Sequence, residues 1–495
     1  MISKIASRQK TIFNNWSSPL MWVLCVISAL LAGFIAAHVF NVYVYTISIV
    51  LIIVVLLYIF AKADIKILSI ERILAYMAVI SGFLGSAVLT FEVGTFALFP
   101  LRILLIALWF AFCIGYLAHC PRELSNVNRI KGFMIFLIVW LMFAIVSVTW
   151  AHSTFDAIRN ITFLTTGISL IFFHAYYFDN ENDLRRLFNI WIGALIALLL
   201  IGLWENITGH HLPISGYSKE RLLLLHPAVA SQVRYRPTGT FNNPNDYATF
   251  ISICIPFAIS LTRYNKRISL KILGVLCVLL GIYLILKAQS RGNLLAVFLE
   301  LSVMFLFLLK NYRKIGFILF ILLFVVVLYL AFPMIASTTI TEVQESTSSL
   351  MFELPVQGGQ GTTRWNLARN SISFFVSTYG LGVGAGNAEY WMEYRPKYYT
   401  HGITNPHSWW LELLVNYGVL VFFGYLFFYY NILLYLWKAY KRLEGIMKMI
   451  CEALLLSLVG FTIASWSSSS VMALAPHWLM ISFSLASISR IKKIA

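Results

Sequence analysis

Apolar stretches long enough to cross a bilayer follow one another along nearly all of this 495-residue chain, which leaves few folds open. Lipid offers no partner to an unsatisfied backbone N–H or C=O, so such stretches must close their hydrogen bonds as helices of roughly 20 residues. They lie near 20–39, 42–60, 73–90, 100–118, 132–150, 161–178, 187–204, 247–263, 269–287, 293–309, 315–332, 416–437, 449–467 and 472–488. The pattern predicts an all-α integral membrane protein of about fourteen transmembrane helices. Hydrophobic residues make up 60% of the chain, charged ones 12%, and the mean hydropathy is +0.81, well outside the soluble range. The first apolar run is long and is followed at once by more spans, so no cleavable signal peptide is expected.

Two long polar insertions, about 206–245 and 334–408, interrupt this pattern. They divide the chain into N-terminal transmembrane helices (1–205), a second helical group with an outer loop at 206–245 (206–333), a large extracytoplasmic loop (334–415) and C-terminal transmembrane helices (416–495). The net charge of +17 is distributed in alternate loops: Lys4, Arg8 and Lys10; Lys62, Lys66 and Arg72; Arg122, Arg129 and Lys131; Arg185 and Arg186. The series resumes with Arg263, Lys266 and Arg267, then Lys310, Arg313 and Lys314, then Lys438, Lys441 and Arg442, and ends with Arg490, Lys492 and Lys493. Such alternation is the positive-inside pattern, so both termini are expected in the cytoplasm of a multi-pass bacterial cell-membrane protein, with both insertions outside. The basic charge thus orients helices, and no nucleic-acid partner is expected.

Three segments carry residue types suited to chemistry. Arg234-Tyr-Arg236-Pro-Thr-Gly-Thr-Phe-Asn-Asn-Pro-Asn-Asp246 leads into the eighth predicted span. Its arginines can grip a phosphate bidentately, whereas an ordinary capped loop with snorkelling arginines is the plain alternative. Gln289-Ser-Arg291-Gly-Asn293 is a tight outer turn whose arginine runs against the positive-inside bias; a lipid-linked pyrophosphate or an ordinary lipid phosphate would compensate it. The large loop holds Arg364, Trp365 and Arg369, the glycine run Tyr379–Gly386, and His401 and His407 before Trp409, Trp410 and Glu412. The glycines follow no predicted strand and are read as permitting close backbone packing, not as a nucleotide fingerprint. His407 stands where the loop re-enters the membrane, a place for a general base, although a lone loop histidine is more often structural.

In order, Arg236 to Asn245, Ser290 to Gly292, Arg364-Trp365, Gly382 to Gly386 and His407 to Gly418 resemble the motifs of the O-antigen ligase and Wzy-type polymerase superfamily over roughly the C-terminal two-thirds of the chain. Ser408 follows His407 where Asn is frequent in that family. The resemblance implies a GT-C-like helical fold and an inverting glycosyltransferase using an undecaprenyl-pyrophosphate-linked glycan donor and a glycan acceptor. It also implies that Arg236 and Arg291 hold the diphosphate, that Arg364 assists, and that His407 activates the acceptor hydroxyl. Arg234, Asn245, His401 and Glu412 are expected in support. Membrane lipids and other polysaccharide-assembly proteins are the further partners it implies. Polymerase and ligase share these motifs; a flippase for lipid-linked sugars is the alternative of another class. No paired-acid motif marks a metal or cofactor site, and the acidic run Asp179–Asp183 is read as a solvated cytoplasmic loop.

Overall fold

The structure of the protein is a computed structural model that describes residues 70–84, 91–93, 96–117, 124–223, 227–309, 360–469 and 471–494, with scattered positions from 312 to 325. The predicted spans near 20–39 and 42–60, most of 315–332 and the first part of the large insertion lie outside the described residues. The described chain begins with α1 (Ile70–Leu84), a two-stranded antiparallel hairpin β1 (Phe91–Val93) and β2 (Phe96–Leu98), and α2 (Pro100–Leu117). It continues through α3 (Ser125–Arg129), α4 (Lys131–Ser147), α5 (Thr154–Tyr177) and α6 (Glu181–Thr208). Then come α7 (Lys219–Leu222), α8 (Pro227–Val233), α9 (Pro244–Tyr264), α10 (Ile268–Lys287) and α11 (Arg291–Val303), which runs on as a π-turn, Met304–Leu308. The insertion contributes α12 (Gln360–Ser377) and α13 (Ala388–Tyr394), and α14 (Trp409–Arg442), α15 (Gly445–Ala464) and α16 (Ala475–Ile494) complete the chain.

Six described helices are long and apolar enough to cross a membrane: α6, α9, α10, α11 with its π-turn, α14 and α15. The protein is therefore a helical, multi-pass membrane protein; the small hairpin is its one departure from an all-helical plan among the described residues. The helix starts follow local chemistry. Asn243 accepts the Asp246 N–H at 2.9 Å, and Pro244 occupies the first helical position, where its missing donor costs nothing. Asn180 caps α6 in the same way, accepting from Asp183 N–H at 2.9 Å. At its other end α6 stops at Gly209, whose φ of +66° is left-handed.

Helix α9 forms the centre: every side chain from Asp246 to Leu261 is buried, between α10 on one flank and α15 on another. Small residues permit the close approach expected where lipid supplies no hydrophobic drive between helices. A Cβ on Gly274 of α10 would stand 2.6 Å from the Ala258 carbonyl of α9.

The reading of Asp179–Asp183 as a solvated loop holds for Glu181 and Asn182, which are exposed, and fails at Asp183. Asp183 is buried in the first turn of α6, where it accepts the Tyr76 hydroxyl at 2.9 Å and pairs with Arg186 at 3.2 Å and Arg72 at 3.8 Å. Partners on α1, far away in sequence, satisfy a charge that local composition marks as a surface group.

Candidate active site

The site lies where the starts of α9, α11 and α14 meet the turn between α15 and α16. Asp246, in the first turn of α9, accepts from the Ser468 hydroxyl, from Ser469 N–H at 3.0 Å, from the Ser469 hydroxyl at 2.7 Å and from Asn243 Nδ2 at 2.6 Å. Asn245 accepts the Ser290 hydroxyl at 2.9 Å through its side chain and Asn293 Nδ2 at 3.3 Å through its carbonyl. These bonds fix the first turn of α11, and with it Arg291. A Cβ on Gly292 would collide with Ser467 Oγ, so the serine turn sits directly against this helix start.

Arg291 is exposed at the head of α11, and Arg364 is exposed on α12. Neither has a carboxylate at ion-pair distance among the described residues. Crowding by surrounding protein, followed by repulsion from Arg291, lowers the pKa of Arg364 from its ordinary value, so the two cations share one region. His407 belongs to the same region. Burial lowers its pKa, and the charge of Arg364 lowers it further, against the opposing pull of Asp246 and of the Ser468 backbone. The imidazole is thus favoured in its neutral form, and its Nδ1 is buried without a hydrogen-bond partner among the described residues. Its backbone is left-handed, at φ +50°.

Arg236 is held by a separate device. Glu205, fully buried near the end of α6, accepts Thr238 N–H and Gly239 N–H, each at 2.7 Å. His211 lies 3.5 Å from the other Glu205 oxygen and contacts the Arg234 carbonyl through Nε2 at 2.7 Å. Burial opposes protonation of His211, but the hydrogen bond and charge of Glu205 outweigh it and raise the pKa. Arg236 is half-buried, with its Nε unpartnered among the described residues, while Arg234 is exposed beside Tyr235. His401 is exposed and hydrogen-bonded to the Thr363 hydroxyl at 3.0 Å. Glu412 is buried in the first turn of α14 and lines a cleft with Asp156, Arg159 and Glu389.

The glycine run behaves as close-packed backbone. Gly382, Gly384 and Gly386 all have positive φ, and a Cβ on Gly382 would stand 2.6 Å from the Gly418 nitrogen. Val383 N–H donates to the Val415 carbonyl at 2.8 Å and Gly384 N–H to that of Asn416 at 3.1 Å. Gly418, at φ +72°, kinks α14 to meet this run. Sequence reasoning missed Glu205 and the serine turn; the run Trp466-Ser-Ser-Ser-Ser470, polar between two predicted spans, was the available signal.

A half-buried imidazole, favoured in its neutral form, thus shares one region with two guanidinium groups that have no carboxylate partner among the described residues of this multi-pass membrane protein. The chain matches the O-Antigen ligase family over residues 275–426, which include Arg291, Arg364 and His407. It is similar to the "Teichuronic acid biosynthesis protein TuaE" of Bacillus subtilis (strain 168), at 31% identity over 432 residues, 84% of each chain. The protein belongs to the O-antigen ligase and Wzy-type family.

Proposed function

We propose that the protein is an inverting glycosyltransferase that polymerises undecaprenyl-pyrophosphate-linked oligosaccharide units at the outer face of the cytoplasmic membrane, in the assembly of a cell-surface polysaccharide such as teichuronic acid. The observation that carries this reading is the pairing of Arg291 and Arg364, without carboxylate partners among the described residues, with a His407 kept neutral beside them.

In this reading Arg291 and Arg364, with Arg236, bind the donor diphosphate. The acceptor hydroxyl attacks the anomeric carbon from the face opposite the pyrophosphate, so the configuration inverts. His407 takes the hydroxyl proton as the new C–O bond forms. The bond to pyrophosphate breaks, and its electron pair leaves with the diphosphate, where the guanidinium groups stabilise the growing charge. Asp246 and the serine turn keep His407 and the start of α11, and so Arg291, in one register. Transfer of a finished glycan to another acceptor uses the same steps, and the acceptor alone distinguishes it.

The test compares His407→Ala with His401→Ala at matched expression, in membranes supplied with lipid-linked glycan extracted from a strain lacking the protein. His407→Ala is expected to bind donor yet lose roughly 10²–10⁴-fold in bond formation. His401, tied to Thr363, should matter far less. Wild-type transfer by the His407 variant removes the base from the mechanism.

A further inference from the structure

His407 adopts a left-handed backbone that a β-carbon disfavours, so something outside the residue must hold it there. The sequence before it is Asn405-Pro406-His407. Asn405 Oδ1 accepts the His407 N–H at 2.8 Å, closing a side-chain turn across a proline whose φ is fixed by its ring. The other end of the same amide donates to Glu389 Oε1 at 2.8 Å. Both sides of the amide are therefore committed, and its orientation is set by Glu389.

Glu389 stands in the first turn of α13, a short helix clamped from two directions. Ser153 N–H at the start of α5 donates to Asn387 Oδ1 at 2.7 Å, and Ala388 N–H donates to Asn416 Oδ1 on α14 at 2.9 Å. Gly386 packs so tightly that a Cβ there would lie 2.6 Å from the Asp156 carbonyl. The glycine run thus ends in a platform fixed to two long helices, and Glu389 projects from it.

We infer that Asn405 and Glu389 are positioning residues that aim His407: the carboxylate fixes the asparagine amide, and the amide fixes the histidine backbone. This rests on His407 acting as the base. It also gives the glycine run a part in the reaction, because the platform's position becomes the histidine's position.

The charge pattern of the pair supplies the test. In Asn405→Asp two carboxylates face each other where one donor and one acceptor stood, so the turn is driven apart. In the double variant Asn405→Asp/Glu389→Gln, the new amide donates to the new carboxylate, and the bond returns with reversed polarity. With full-length protein in nanodiscs and the extracted lipid-linked glycan as probe, Asn405→Asp should lower the maximal transfer rate on the order of 10²-fold. Its KM for donor should be little changed, and the double variant should recover most of the rate. A double variant no faster than Asn405→Asp, or an Asn405→Asp as fast as wild type, overturns the inference. His407→Ala in the same assay separates the two levels: if it transfers normally, the base reading fails; if it is inactive while Asn405→Asp is unimpaired, only the positioning fails.

Discussion

Ser469 donates its hydroxyl to Asp246 Oδ2 at 2.7 Å across 223 positions of sequence. That bond joins the first turn of the most buried helix to the turn between α15 and α16, and it gives the site a wall that neither segment makes alone. Ser468 and the Ser469 backbone converge on the same carboxylate. A carboxylate with this many donors is a rigid acceptor hub. From it the position of the serine turn passes on to Gly292 and the start of α11.

Glu205 anchors the segment that carries Arg236, and its removal should be costly. Glu205→Ala leaves the Thr238 and Gly239 N–H groups buried without their acceptor, at about 1–3 kcal/mol for each unsatisfied group. Faster proteolysis of 206–245 and a lower unfolding midpoint are expected; unchanged values would show that the loop is held elsewhere. Glu205→Gln keeps one oxygen and should be milder. It also removes the His211 ion pair. The pKa of His211 is raised in the folded protein, so the pair's contribution is full below about pH 6.5 and fades as pH rises through the folded value. Wild type should lose midpoint over that window, and Glu205→Gln should not.

Arg291→Lys keeps the charge but not the planar fork, and a compact ammonium cannot match two phosphate oxygens at once. Transfer and donor affinity are expected to fall sharply, with a folded protein at normal levels. Near-normal chain length of the product would return Arg291 to the role of a lipid-phosphate anchor.

Orientation is tested by labelling. Ser218 is buried, so a cysteine there would report packing, whereas the neighbouring Glu220 is exposed. Glu220→Cys should react with an impermeant maleimide added to intact spheroplasts. Reaction only after permeabilisation would put 206–245, and the proposed chemistry with it, on the inner face.

The helical, multi-pass plan was legible because lipid imposes one period and one length on any spanning segment. Arg291, Arg364 and His407 stand out in the sequence as candidates because arginine and histidine are unusual in the turns of such a chain, and the fold adds that the three share one region. The clamps were not. Asp183 looks like a surface residue until Tyr76 and Arg72 fold against it, and Glu205 reads as the polar end of a span until Thr238 and Gly239 donate to it. The serine run is visible as a polar stretch between two predicted spans, but its meaning comes from Asp246, which only the tertiary fold brings to it.

The pH profile offers a test with opposite signs. The pKa of His407 is lowered by burial and then by Arg364, whereas Asp246 raises it. If His407 is the base, the acidic limb of transfer should lie below the ordinary histidine value of about 6.5, because protonation is needed to silence it. Arg364→Gln removes a repulsive charge, so protonation becomes easier and the limb should move to higher pH. Asp246→Asn removes an attractive charge and should move the limb to lower pH. Both variants will lose absolute rate through binding or register, but the limb is read from the shape of the profile normalised to its own maximum. Shifts in these two directions locate the titrating group between Arg364 and Asp246. A limb that stays fixed in both variants would assign the titration to a group other than His407.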